Sequence, residues 1–281
     1  MTGLGVVVSG DAERALGETG TFLRSDPTTN NLVLTLLEER AKHPEPGRFG
    51  WVTDGSTVIG FGLQSPLEFH AAITPMQSSA VEAFVAAFAE IAPDLPGVFA
   101  VSDTAARFAG CWAETLKVPA TPVEGQRLYE LGTLHPPSGV SGHPRVASPT
   151  DTELVLGWLE RFQVDTGGPV APADTVERRV GSGLIWLWAD DEPVAMAGYT
   201  PPIAGVSRVG LVFTSPEHRR RGYAAAVTTA ASRAALSAGA ERCILFTQLA
   251  NPQSNAIYRR LGYEPISENV RYRFGPPSSA S

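Results

Sequence analysis

The chain has almost no lysine: Lys42 and Lys117 are the only two. Nearly all its positive charge is arginine, which GC-rich codon usage produces without a functional cause. The chain also lacks a basic balance. Lys and Arg total 22 against 29 Asp and Glu, a net charge of −7. Phosphate neutralisation dominates nucleic-acid affinity, so no nucleic-acid partner is expected. A small anionic ligand at one local basic site stays open. Cysteine is scarce too. Cys111 and Cys243 sit in apolar stretches and read as small buried residues. With no CxxC, no HExxH and five scattered histidines, no metal site is expected. No apolar run approaches the ~20 residues that span a bilayer. The opening "MTGLGVVVSGDAERALG" has neither a basic start nor a long apolar centre, so no signal peptide is read there. A reduced cytoplasmic setting without membrane attachment is the expectation.

What is present is globular: 281 residues, 43% of them hydrophobic, enough for one large or two ordinary domains. The stretch "GTLHPPSGVSGHPR" at 132–145 breaks both helical and strand periodicity and divides the chain. The expected organisation is a domain over 1–132, a linker over 133–145 and a domain over 146–281. The halves look like repeats. Asp54, Val58, Gly62 and Pro66 are spaced as Asp190, Val194, Gly198 and Pro202, each set within an apparent β-hairpin.

In the first half the pattern predicts helices near 10–23, 28–42, 77–91 and 103–115. Strands are predicted near 49–54, 57–64, 67–73, 97–101 and 126–131. In the second half a helix is predicted over 151–163, capped by Thr150 or Asp151, and a short helix within 166–181. Strands follow at 184–189, 193–200 and 207–214, then a helix over 221–238 stopped by Gly239. A strand at 242–248, a helix at 252–260 and strands at 263–267 and 269–274 complete it. The fold class is α/β (α+β), with helices on both faces of a sheet in each half.

One stretch concentrates positive charge: "SPEHRRRGYAAAV" at 215–227. It reads as strand, turn, glycine, helix. A helix start offers unpaired N–H groups and the positive end of the helix dipole, which together favour an anion. Gly222 removes a Cβ where a phosphate needs close backbone approach, and Ala224 is small. Arg219, Arg220 and Arg221 at a helix start oppose the dipole, a conflict that an anionic partner resolves.

At this point the sequence resembles the GCN5-related N-acetyltransferase (GNAT) superfamily. Its pyrophosphate loop reads Q/R-x-x-G-x-G/A, matched by Arg219 to Ala224. A second signature, N-x-x-S/A-x-x-x-Y-x-x-x-G-F/Y, is matched by "NPQSNAIYRRLGY", with Asn251, Ser254, Tyr258, Gly262 and Tyr263. The resemblance covers about 145–275, and the repeat extends it weakly over 10–132. It implies two GNAT-like domains, each a central mixed, mostly antiparallel sheet flanked by helices.

The resemblance also implies roles. Backbone amides of Arg219, Arg220, Arg221, Gly222, Tyr223 and Ala224 would hold the pyrophosphate of acetyl-coenzyme A. Leu211, Val212 and Phe213 would pair with the pantetheine arm. Asn251, with Ser254 in the same signature, would lie along it. Tyr258 would donate a proton to the leaving thiolate. The acceptor amine, expected on a small molecule, would attack directly. Asn251 read by itself is equally a helix cap. For a general base the sequence offers Glu160, Asp165 or a water chain. The first half has "ITPMQSSAVEAF" at the corresponding loop, without arginine or glycine and with Glu82, so it reads as a degenerate copy without cofactor. The alternatives are a protein lysine or N-terminal acetyltransferase and a non-catalytic acyl-CoA sensor. An enzyme using aminoacyl-tRNA would want a basic face. A monomer or homodimer is the expected state.

Overall fold

The computed structural model describes residues 3–166 and 172–275, with the backbone alone for Asp165 and Thr166. These residues divide into two compact units. The first takes the residues up to Leu128, Gln248–Ala250 and those from Ser267 on; the second takes Tyr129–Thr247 and Asn251–Ile266.

The first unit opens with a strand the sequence reading missed, β1 (Leu4–Ser9). Asp11 then caps α1 (Ala12–Ser25), its carboxylate accepting from the Arg14 N–H at 3.0 Å. There follow α2 (Asn31–Lys42), β2 (Arg48–Asp54), β3 (Thr57–Gln64), β4 (Ala71–Ile73), α3 (Ser78–Ile91), β5 (Gly97–Val101), α4 (Ser102–Leu116) and β6 (Ala120–Leu131), of which the residues from Tyr129 on belong to the second unit. β1 to β5 form a sheet in that order, antiparallel except for β4 with β5. Phe84 and Phe88 lie one turn apart on α3 and stack at 4.9 Å. Gly50 and Gly62 pair across β2 and β3 beneath them, and a Cβ on either would come within 2.8 Å of Phe84. The glycines are therefore the floor that lets the ring reach the sheet.

The second unit contains β7 (His143–Val146), inside the stretch read as a linker. It pairs antiparallel with β8 (Ile185–Asp190), so part of that stretch is sheet. Between them run a 3-10 turn at Pro149–Asp151, α5 (Thr152–Thr166) and α6 (Ala173–Gly181). The cap is Ser148, not Thr150 or Asp151: Ser148 and Asp151 form a reciprocal capping box. Arg145 holds the Asp151 carboxylate with two bonds of 2.7 Å. After β8 come β9 (Glu192–Tyr199), β10 (Val206–Thr214), a 3-10 turn at Pro216–His218, α7 (Tyr223–Ser237), β11 (Arg242–Gln248), α8 (Pro252–Arg260) and β12 (Tyr263–Phe274). The sheet runs β11-β10-β9-β8-β7, with only β10 and β11 parallel. α7 covers Ala197, Tyr199 and Val209 on one face. On the other face Trp158 of α5 and Val176 and Val180 of α6 pack with Ile185, Leu187, Met196 and Phe213.

Two sequence expectations change. The predicted strands at 263–267 and 269–274 are one strand, β12, and its second part belongs with the first unit, where Asn269–Arg273 pair with Val101–Gly97 of β5. The expected domain over 146–281 therefore gives up its last strand. The repeat also shifts. Asp54 pairs with Thr57 across two turn residues, whereas Asp190 pairs with Glu192 across one. Counted from the turns, Gly62 corresponds to Ala197, and Gly198 to Leu63. A slip of one residue reverses the face of a strand. Gly62 accordingly faces α3, while Gly198 lies on the α6 side, where a Cβ would stand 3.1 Å from Arg179.

Candidate active site

β10 carries the irregularity on which the site is built. Val206, Ser207 and Arg208 pair with Arg242, Cys243 and Ile244 of β11. Beyond Arg208 the two strands share no pairing, although β10 runs to Thr214 and β11 to Gln248. On its other edge β10 stays with β9 across a bulge. Gly210 faces Gly198 and Phe213 faces Met196, three steps against two. Leu211 takes up the extra residue at φ 55°. A bulge bends its strand, which supplies the local cause of the parting. A non-glycine residue at positive φ costs on the order of 1 kcal/mol, so this backbone is held by its surroundings. The result is a stretch of β10 around Leu211, Val212 and Phe213 whose edge toward β11 is open for an extended chain.

The loop after β10 is anchored and then left bare. Ser215 is buried, donates its N–H to Val194 O at 3.1 Å and lies 2.8 Å from His218 Nδ1. Arg220 at φ 66° and Gly222 at φ 88° turn successive N–H groups toward one side, as in an anion-binding nest. Gly222 is the N-cap of α7, and no side chain caps the helix. The N–H groups of Arg220, Arg221, Tyr223, Ala224 and Ala225 have no partner among the described residues. α7 starts at Tyr223 rather than 221, so the three arginines precede the helix instead of occupying its first turn. All three are exposed. A Cβ on Gly222 would fall 2.9 Å from Val140. The cradle thus needs glycine for both conformation and space, and it fits a pyrophosphate.

Tyr223 contributes only its backbone there. Its ring is buried, and its hydroxyl donates to Asp190, which also accepts from Ser141 at 2.8 Å. Those two bonds, Tyr223 first, hold the Asp190 carboxyl below its ordinary range.

Tyr258 of α8 sits in a cluster with Tyr129, Leu245, Leu261 and Tyr263. Leu245 immediately follows Ile244, where the pairing of β10 with β11 ends. The Tyr258 hydroxyl has no hydrogen-bond partner among the described residues, and burial raises its pKa above the usual tyrosine range. It therefore holds its proton at neutral pH. Asn251 is the α8 N-cap, its side-chain oxygen accepting from the Ser254 N–H at 2.9 Å. The capping reading of Asn251 is what the geometry displays, and the residue is exposed.

On the α5 and α6 face lies a hollow that the sequence reading passed over. A Cβ on Gly210 would meet nothing within 4 Å. Gly198 pairs with it, Arg179 donates to Tyr199 O at 3.3 Å, and Arg208 stands two residues earlier on the same strand. Burial, with the Arg179 charge beside it, pulls the Arg208 pKa down to about 10, still protonated at neutral pH. The signal was two glycines in adjacent strands, visible only once register is known. Of the proposed bases, Glu160 is exposed on α5, and the Asp165 side chain lies outside the described residues. β10 carries no carboxylate. Among the described residues no His, Cys, Asp and Glu cluster is arranged to hold a metal, and no helix is long and apolar enough to cross a membrane.

Residues 155–263 match the model of the acetyltransferase (GNAT) family. Among solved structures, a GCN5-related N-acetyltransferase from Sphaerobacter thermophilus is 14% identical, covers 95% of each chain and superposes with a TM-score of 0.65. One from Kribbella flavida is 23% identical over 79% of this chain and 89% of its own, TM-score 0.58. A tandem GNAT protein from the clavulanic acid biosynthesis pathway is 14% identical, covers 99% of this chain and 100% of its own, and has a TM-score of 0.57. No curated protein matches the chain.

Proposed function

From the match of residues 155–263 to the acetyltransferase (GNAT) family model we propose that the chain transfers an acetyl group from acetyl-coenzyme A to the amine of a small molecule. The observation that carries this is the parting of β10 from β11 at the Leu211 bulge, with the bare N–H groups of Arg220 to Ala225 in the loop at the end of the same strand. One ligand with an extended arm and a pyrophosphate satisfies both. Acetyl-coenzyme A supplies the activated thioester.

The chain's residues then have separate tasks. The N–H groups from Arg220 to Ala225 hold the pyrophosphate, aided by the dipole of α7 and the flanking guanidiniums. The open edge of β10 aligns the arm, and a backbone N–H there polarises the carbonyl where negative charge develops. The hollow over Gly210 receives the acceptor on the face of α5 and α6. As the amine's C–N bond forms and the C–S bond breaks, Tyr258 gives its proton to the sulfur. The acceptor proton leaves through water or Glu160.

A panel of small amines, scored by thiol release with acetyl-coenzyme A, tests the reading. Release with at least one amine, lost in Tyr258→Phe, is the expected result. One observation favours a second reading, a non-catalytic acyl-CoA sensor: β10 lacks a carboxylate. Tight binding of acetyl-coenzyme A without release for any amine would decide for the sensor.

A further inference from the structure

A cavity of about 500 Å³ lies in the second unit, away from the parted strands. Its walls include Trp186 and Trp188 of β8, Pro136, Pro144, and Ala230 and Arg233 of α7. The cavity is lined by none of the residues of β10, β11 or α8. The volume is that of a small-molecule site, and such sites are mostly apolar with a few placed polar groups.

Two polar groups here lack partners. The Trp186 indole N–H is buried and has no hydrogen-bond partner among the described residues. Buried tryptophan N–H groups ordinarily find an acceptor, and leaving one unmade is costly. The neighbouring Trp188 shows the usual outcome, donating to Ser141 O at 2.7 Å. Arg233 is exposed at the cavity and makes no ion pair among the described residues. Indole faces, prolines and alanines suit a flat apolar body. The unpaired guanidinium suits an anionic group on that body, while the Trp186 N–H is sealed from the cavity.

We propose that this cavity binds a small aromatic carboxylate, its ring against Trp186, Trp188 and α7 and its carboxylate toward Arg233. Val140 lines the same cavity and stands where a Cβ on Gly222 would fall. One side chain, Val140, therefore borders both the cavity and the turn at Gly222.

The probe is indole-3-acetate, titrated into the full chain and followed by tryptophan fluorescence and calorimetry. Saturable one-site binding tighter than about 1 mM is expected. Arg233→Gln, a change on an exposed helix position, should weaken it about tenfold, and 3-methylindole, which lacks the carboxylate, should bind about tenfold more weakly than the acid. Ala234→Trp should fill the cavity and abolish binding while acetyl-coenzyme A still binds. Absence of saturable binding below ~1 mM overturns the proposal. So does equal affinity in Arg233→Gln. A dimer in sedimentation that dissociates in Ala234→Trp also overturns it, because a second copy would then cover the cavity.

Discussion

The two units place the same hairpin, strand and helix differently at one point. In the first unit β4 pairs with β5 through Ala71 and Ala72, and no bulge interrupts its pairing with β3. In the second, β10 leaves β11 after Arg208, two residues before the position equivalent to Ala72, and bulges at once. Where the first unit has Leu63 opposite Ala72, the second has Gly198 opposite Gly210. The following loop differs in kind. The first unit closes it with its own groups: Thr74 bonds Phe61 in both directions, and the Met76 N–H donates to Thr104 at 3.2 Å. The second leaves a run of N–H groups bare beside three arginines. A shared skeleton therefore holds either a sealed sheet or a ligand cleft. The choice rests on one bulge, two side chains removed and one loop left unsatisfied.

The largest expected effect comes from Gly222→Glu. It puts a side chain at φ 88°, against Val140, with a carboxylate where the proposed pyrophosphate would lie. Calorimetry should show acetyl-coenzyme A affinity falling by at least about 100-fold. Gln77→Glu makes the matching change ahead of α3 in the first unit and should leave affinity unaltered. Equal losses in both would break the comparison. Next, Tyr258→Phe should lower kcat by about 100-fold or more, the usual contribution of a positioned acid, with acetyl-coenzyme A affinity nearly unchanged. Unchanged kcat would remove the acid role.

Much of this was legible in the residues, and the remainder was not for identifiable reasons. The arginine–glycine loop and the Asn251-to-Tyr258 spacing are local patterns, and the loop, helix and cap lie where those patterns fall. Gly239 does follow the end of α7 in a left-handed conformation, at φ 94°. Register is not local. A turn one residue shorter displaced the apparent match of Gly62 with Gly198 to Ala197, and no composition records that. β7 was hidden because "HPRV" follows prolines and glycines that read as a linker, yet it needs only an edge to pair with. The grouping of Ser267–Phe274 with the first unit depends on which strand edge is open, a property of the finished sheet. Leu211 at positive φ looks like an ordinary strand residue in sequence.

A smaller effect tests how far the arginines matter beside the backbone. Arg220→Gln combined with Arg221→Gln should weaken acetyl-coenzyme A binding about tenfold and flatten its dependence on salt, since both guanidiniums are exposed and screened. A loss as large as that of Gly222→Glu would show that side chains, not N–H groups, hold the phosphates.

The smallest effect concerns stability and belongs to the sealed unit. His70 packs near Phe99, with ring centres 6.1 Å apart, and its pKa is lowered to about 4, chiefly by burial, then by the Arg271 charge, against an opposing pull from Glu124. In the unfolded chain the same imidazole titrates near its model value of 6.5. Between those values the unfolded state binds the additional proton, so protonation favours unfolding. The contribution of neutral His70 is complete above about pH 6.5 and is lost as pH falls toward 4, with a limiting slope of about 1.4 kcal/mol per pH unit. Urea unfolding measured across that window should show the slope, and His70→Gln should reduce it. Acid sensitivity that persists unchanged in His70→Gln would move its origin elsewhere, and the sealed unit would then owe nothing to a neutral buried imidazole.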